Sequence, residues 1–385
     1  MRLIEHPYFQ RLRRIKQLGL THYVYPGAVH TRFNHALGAY HLMTEALLHL
    51  QQKGHAISQE EFEAAQMAIL LHDIGHGPFS HVLEHSLVNV HHETITLWMM
   101  ESLNRSFGGM LDLAIEVFQG RHPKKFLHQL ISSQLDVDRL DYLKRDSFYT
   151  GVVEGNIGID RLILMMDVSD QNLILEEKSI YTIEKFLSSR RIMYLQVYLH
   201  KTALIAEKTL RALLHRIGEA DQLRTGSVAF NEVTGIREGL ENQSQREKFI
   251  AHFARLDDID VWALLKNYRD HPDPQIAAWA AALLDRTLSK IEITHQPPPD
   301  VQNEGKVGET LKGQRFKIDF TAYDPEEGEI MIRQKNGLIV PLSSYSEWIR
   351  QSTVIYKPED MDQFTRKFSD HFPVWADFDT RKDDD

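Results

Sequence analysis

The spacing of apolar positions along the chain predicts a mainly helical protein. Leu37, Tyr40, Leu47 and Leu50 fall within one helical pattern from Thr31 to Lys53, and Gly54 supplies its stop. Ser58 with Glu61 three residues later is a capping-box start for a second helix. That helix continues through Ala64, Ala65, Ala68, Ile69 and Leu71, with Gly75 beyond its end. Helical patterns follow at Glu93–Leu103, Leu111–Gln119, Lys125–Ser132 and Asp136–Arg145. Leu162–Val168 and Asn172–Glu176 flank Ser169-Asp170-Gln171, which predicts a small hairpin. One long helix is expected from Thr182 to Arg216, and amphipathic helices without evident chemistry over 231–290.

The pattern then changes. Gln296-Pro297-Pro298-Pro299-Asp300 opens a linker that reaches about Gly313. Phe316–Tyr323, Ile330–Arg333 and Leu338–Leu342 read as strands, the last two joined through Asn336-Gly337, a strong hairpin signal. The expected division is therefore 1–220, a helical extension over 221–295, a linker over 296–313, and a small α+β lobe over 314–385. The acidic tail at Asp383–Asp385 is expected to fray.

Composition narrows the chemistry. The 385 residues contain no cysteine, so any bound metal must use nitrogen and oxygen ligands. A net charge of −10 argues against a general nucleic-acid binder. Met1–Gln17 is arginine-rich and lacks an apolar core, and no run is long enough to span a bilayer, so a cytoplasmic protein is expected. The 21 histidines concentrate in the first third of the chain, which marks that part as the chemical one.

Among these histidines, His72-Asp73 stands out at the end of an apolar helix, with His76 and His81 close behind. With His35 and Asp138 it makes two imidazoles and two carboxylates, a donor set that suits Mn, Fe, Ni, Co or Zn with positions left open. Each residue alone also fits a bland role, and Asp136, Asp138 and Asp141 fit a solvated acidic face. Arg32, three residues before His35, and Arg139, directly after Asp138, bring guanidinium donors suited to phosphate.

His35, His72-Asp73 and Asp138 resemble the H…HD…D signature of the HD-domain phosphohydrolases. Four blocks narrow the resemblance: Phe9–Gly19, Tyr25–His35, His72–His81 and Asp136–Tyr142. They are similar to the branch holding the SAM-and-HD-domain dNTP triphosphohydrolase and bacterial dNTPases, over about residues 3–215.

The resemblance implies a mainly α, HD-domain helical fold with one divalent transition metal, accompanied by a second, Mg, ion with substrate. It implies that His81 and His92, the latter chosen over His91, line the phosphate side and that His81 protonates the leaving group; by spacing, Glu84 three residues past His81 is expected to orient its imidazole, and His76 is a further catalytic candidate. Arg190 joins Arg32 and Arg139 on the phosphates. Tyr142 and Tyr198 pack near the sugar, Asp146 and Gln17 hydrogen-bond its 3′-hydroxyl, and Leu18 disfavours a 2′-hydroxyl. Gln10 and Arg13 match, and Glu5 in place of a shorter Asp corresponds to, a site for a regulatory nucleotide between subunits, and a homo-oligomer is expected.

The expected reaction is hydrolysis of a dNTP to deoxynucleoside and triphosphate. A nucleotidase, phosphodiesterase or pyrophosphohydrolase with the same tetrad is the alternative enzyme, and a nucleotide-sensing module without turnover is the non-enzymatic one.

Overall fold

The computed structural model describes residues 2–79, 82, 90–219, 231, 233, 240, 242–294, 315–318, 322–325, 328–346 and 374–382. The helices expected before residue 150 are present, with ends moved by a few residues. Helix α1 (Arg32–Gln52) starts on a Thr31/Asn34 capping box and stops at Gly54, whose φ of 92° lies in the left-handed region. Helix α2 (Gln59–Leu71) starts on the Ser58/Glu61 box and ends at His72. Helix α3 (His92–Ser106) is capped by His91, α4 spans Asp112–Phe118, and α5 (Val137–Thr150) is capped by Asp136 and closed by Gly151. A shorter helix spans Lys125–Gln129, where the sequence pattern runs on to Ser132.

The alanines of α1 and α2 explain their close packing. Ala36, Ala39 and Ala46 on α1 and Ala64, Ala65 and Ala68 on α2 are all buried in one core with the fully buried Met43, Leu47, Leu50 and Leu71. Each such leucine or methionine is worth roughly 1.5–3 kcal/mol of burial, which fixes the helix ends that carry the site.

Two expectations after residue 150 are corrected. Leu162–Met165 belongs to a helix, Ile159–Met165, because Leu162 and Ile163 face the core at helical spacing. The hairpin itself is shorter: β1 (Met166–Ser169) pairs antiparallel with β2 (Asn172–Glu176) around Asp170 and Gln171, both at positive φ. The single long helix is instead α6 (Ile180–Met193), a π turn over Tyr194–Tyr198, and α7 (Lys201–Glu219). In the π turn Leu199 N–H reaches Tyr194 O at 2.8 Å. One extra residue per turn shifts the phase of the side chains, and pattern reading does not register it.

The strands of the C-terminal region pair with earlier segments of the chain. After α8 (Gln243–Phe253), α9 (Asp258–Tyr268) and α10 (Pro274–Leu284) comes a strand, β3 (Ser289–Thr294). Strands β4 (Arg315–Ile318) and β7 (Val374–Lys382) join β3 in the order β3-β7-β4. Strands β5 (Met331–Arg333) and β6 (Ile339–Pro341) form the expected hairpin with Gly337 at φ 87°. They extend the early hairpin into a sheet ordered β1-β2-β5-β6, with β5 parallel to β2. The linker expected over 296–313 and the tail at 383–385 lie outside the described residues. No described helix is long and apolar enough to cross a membrane.

Half-buried Glu207 on α7 packs toward the Gly19 turn, and burial pushes its carboxyl up to about 7 against the lowering influence of Lys208. A folded value above the unfolded one of about 4.3 means that this group's stabilising contribution is lost as pH rises through about 7. Glu207→Gln should therefore melt higher than wild type by about 2–4 °C at pH 8, with a smaller gap at pH 5. Thermal melts across that range check it.

Candidate metal centre

Three helix ends converge. His35 lies in the first turn of α1, His72 caps the C-terminus of α2 with Asp73 next, and Asp138 lies in the first turn of α5. The α5 N-terminus favours the negative charge of Asp138. His35 Nε2 lies 3.3 Å from His72 Nε2, 3.0 Å from Asp138 Oδ1 and 3.8 Å from Asp73 Oδ2. His72 Nε2 lies 3.4 Å from Asp73 Oδ1 and 3.5 Å from Asp138 Oδ1.

The outer nitrogens settle what the inner ones are. His35 Nδ1 is 2.8 Å from Asp141 Oδ2, and His72 Nδ1 is 2.6 Å from the Ile69 carbonyl. Each outer nitrogen carries the proton, so in the neutral rings both Nε2 atoms present lone pairs. The two Nε2 atoms and the Asp73 carboxylate form a donor group suited to a metal ion, and Asp138 Oδ1 stands 3.0 and 3.5 Å from those two nitrogens. The 3.3–3.8 Å separations among His35, His72 and Asp73 suit ligand atoms around one ion with bonds of about 2.1 Å.

The titrations reflect the same crowding. Burial opposes it, yet the neighbouring His35 and His72 hold Asp138 well below the usual carboxylate range. His35 is raised well above an ordinary histidine, despite burial, by Asp138 and Asp141. Asp73 is held low, again against burial, by Arg32 first and then by His72 and His76.

The support around these candidate ligands was not legible as chemistry. Arg145 grips Asp141 with two bonds of 2.9 and 2.8 Å, and Asp141 orients His35. This approach requires Gly38: a Cβ there would stand 1.9 Å from Asp141 Oδ1 and 2.1 Å from Arg145 Nη2. Gly75 lets the His72–Asp73 turn lie on α3, since a Cβ would stand 2.3 Å from His92 O and Thr96 N. Thr96 Oγ1 donates to His72 O and accepts from Gly75 N–H, both at 3.0 Å. Gly38→Ala should weaken metal binding about 10–100-fold by displacing Asp141, as loss of an outer partner does elsewhere. Metal titration of the apo-protein checks it.

The remaining expected residues fall into three groups. Arg32, expected on phosphate, donates Nη1–H to Asp73 Oδ2 at 2.6 Å and so orients a ligand-type carboxylate. His76 Nε2 lies 3.3 Å from Asp73 Oδ1, and its ring stacks on His92 at 4.0 Å. Burial and Arg32 lower His76 well below an ordinary histidine. His91, His92 and Glu93 also place donor atoms near one another at the opening of α3. His81 and Glu84 lie outside the described residues.

Arg139 donates Nη1–H to Asp136 at 2.5 Å. Arg190 donates Nη1–H to Gln134 Oε1 at 3.3 Å and to the Ala322 carbonyl at 3.0 Å. In both arginines Nε is buried without a hydrogen-bond acceptor among the described residues. Both act electrostatically on Tyr142, whose ring lies 6.4 Å from that of His35. Tyr142 and Tyr198 meet edge to face at 6.3 Å. Asp146 accepts from Tyr198 O–H at 2.7 Å and pairs with His30 Nε2 at 2.7 Å. Gln17 keeps a buried Oε1 without a partner among the described residues, beside half-buried Leu18. In the N-terminal segment, Arg13 donates to Gln10 Oε1 at 2.9 Å and lies over Phe33, while Glu5 is exposed.

Residues 32–146 match the HD domain model and residues 157–252 the HD associated region. A crystal structure of a phosphohydrolase from Bacteroides thetaiotaomicron superposes with a TM-score of 0.85 at 41% identity, covering 99% of this chain and 95% of that one. The chain belongs to the HD-domain phosphohydrolase family. An uncharacterized Bacillus subtilis protein, YwfO, is 32% identical over 73% of this chain and 65% of its own length. Human deoxynucleoside triphosphate triphosphohydrolase SAMHD1 is 30% identical over 54% of this chain. This HD-domain chain spans 65% of the Bacillus relative and 40% of the human one. In this HD phosphohydrolase the helical family core thus coincides with the helices whose ends gather His35, His72, Asp73 and Asp138.

Proposed function

We propose that this protein hydrolyses dNTPs to deoxynucleoside and triphosphate, using one divalent transition metal held by His35, His72, Asp73 and Asp138. The observation that carries the reading is the pair of buried Nε–H donors on Arg139 and Arg190, both without an acceptor among the described residues. Buried donors without partners are costly, and a polyphosphate supplies the missing oxygens. The similarity to SAMHD1 proteins supports a deoxynucleoside triphosphate as the source of that polyphosphate.

When bound, the metal supplies Lewis acidity and an activated water at neutral pH. The protein's own groups do the rest. Arg139 and Arg190 bind phosphate oxygens, and Arg32 keeps Asp73 ionised and aimed. Tyr142 and Tyr198 flank the sugar over Leu18, while Gln17 and Asp146 engage the 3′-hydroxyl. Asp146 retains lone pairs for this beyond those used by His30 and Tyr198. Water adds to the α-phosphorus, the bond to the 5′-oxygen breaks, and His81, oriented by Glu84, returns a proton to that oxygen. His76 and His92 support the phosphate side.

We assign Glu5, Gln10 and Arg13 to nucleotide regulation in a homo-oligomer. A panel of dNTPs and NTPs with Mn, Fe, Co, Ni, Zn and Mg, with products separated, tests the reaction. Intact triphosphate is the expected product. Phosphate, pyrophosphate or a monophosphate would instead identify a nucleotidase, pyrophosphohydrolase or phosphodiesterase, and nucleotide binding without turnover a sensing module.

A further inference from the structure

The segment holding Gln17 and Leu18 and the turn following His72-Asp73 are joined by a residue outside both family-matched regions. Asp258, the first residue of α9, is 4% exposed. Its Oδ2 accepts from Lys16 N–H at 2.9 Å, and its Oδ1 accepts from Phe79 N–H at 3.3 Å. Residues 15–17 pair on their other edge with the start of α1: Arg32 N–H donates to Ile15 O, and Gln17 N–H to His30 O, each at 3.0 Å. The Lys16 amide therefore points away from α1, and Asp258 receives it.

Phe79 needs holding. Its φ of 50° is unusual for a residue with a bulky side chain and persists only where surroundings enforce it. Its ring meets Trp262, one turn along α9 from Asp258, at 5.9 Å. A Cβ on Gly19 would touch the same ring at 3.8 Å.

The neighbours of Asp258 have other tasks. Asp257 caps α9 by accepting from Ile259 N–H and pairs with Arg14 at 2.5 Å. Arg11, fully buried, spans the same corner: it donates to the carbonyls of Phe253 and Leu256 on one side and to those of Ile74 and His76 on the other. Two amides from two segments, one on each oxygen, call for a carboxylate at 258. An asparagine offers one acceptor and turns N–H groups toward the other amide.

We propose that Asp258 is a positioning residue that holds the substrate-facing segment 16–19 at a fixed distance from the metal turn. The substrate half of this inference rests on the proposed contacts of Gln17 and Leu18. Asp258→Ala and the milder Asp258→Asn test it in the full chain, with Arg14→Ala as a control that alters the same corner but leaves Asp258 intact.

Amide hydrogen exchange should speed up about tenfold or more at Lys16 and Phe79 in Asp258→Ala, less in Asp258→Asn, and not in Arg14→Ala. With a hydrolysed dNTP, KM should rise about tenfold in Asp258→Ala while bound metal stays at the wild-type ratio and kcat changes less than about threefold. Unchanged exchange at both amides overturns the proposal, as does an unchanged KM with both amides exposed. Loss of KM and kcat together, in step with melting temperature in all three variants, also overturns it by reducing Asp258 to a stabilising residue. If wild type hydrolyses no dNTP, the substrate reading fails while exchange at Lys16 and Phe79 still decides whether Asp258 joins the segments.

Discussion

Asp138→Ala and His72→Ala should each purify with little or no bound divalent metal and lose about 10⁴-fold or more in hydrolysis. Either change leaves three of the four converging donors and removes a group that others depend on. Without Asp138, His35 and His72 lose the carboxylate that stands within 3.0 and 3.5 Å of them. Elemental analysis alongside nucleotide turnover checks both halves. Full activity and full metal content in both variants would falsify the metal assignment. The effect should be chemical rather than structural, because the buried helix faces of α1 and α2 are untouched and the melting temperature should move by only a few degrees.

Arg190→Ala should lower kcat/KM by about 10²–10³-fold while bound metal remains at the wild-type ratio. Its guanidinium is buried and already steadied by Gln134 and Ala322, so its orphaned Nε–H is preorganised for an incoming oxygen. Arg190→Lys should recover only part of the loss. An ammonium restores the charge but not the planar fork, and it has no Nε–H beside a second donor. Steady-state kinetics with metal analysis separates this outcome from damage to the tetrad. A wild-type kcat/KM in Arg190→Ala would remove the arginine from the phosphate site.

These expectations rest on residues that were legible to different degrees. The helices carrying the tetrad announce themselves through capping boxes at Ser58 and Thr31 and through apolar spacing, both local signals. The outer partners do not. Asp141 reads as one more carboxylate on α5 until Gly38, on a helix about 100 residues earlier, is seen to leave room for it. Arg32 reads as a phosphate ligand because it sits one turn before His35, yet the α2 terminus brings Asp73 to it first. The π turn at Tyr194–Tyr198 escapes because its residues are all compatible with an ordinary helix. Asp258 has no motif at all: its meaning comes from two amides supplied by segments far away in sequence.

The parallel pairing of β2 with β5 bears on how the chain reaches this state. Ile174 pairs with Met331, and Arg333 closes on Asp167 at 2.5 Å, so the early hairpin waits for strands made some 150 residues later. Such non-local closure is slow, because the entropy of a long loop is lost before the contacts return it. During synthesis β2 has an unpaired edge, a template for the wrong partner. A fragment cut after the second family-matched region would carry all four tetrad residues and still keep that edge open, so its solubility, rather than its chemistry, would limit its use.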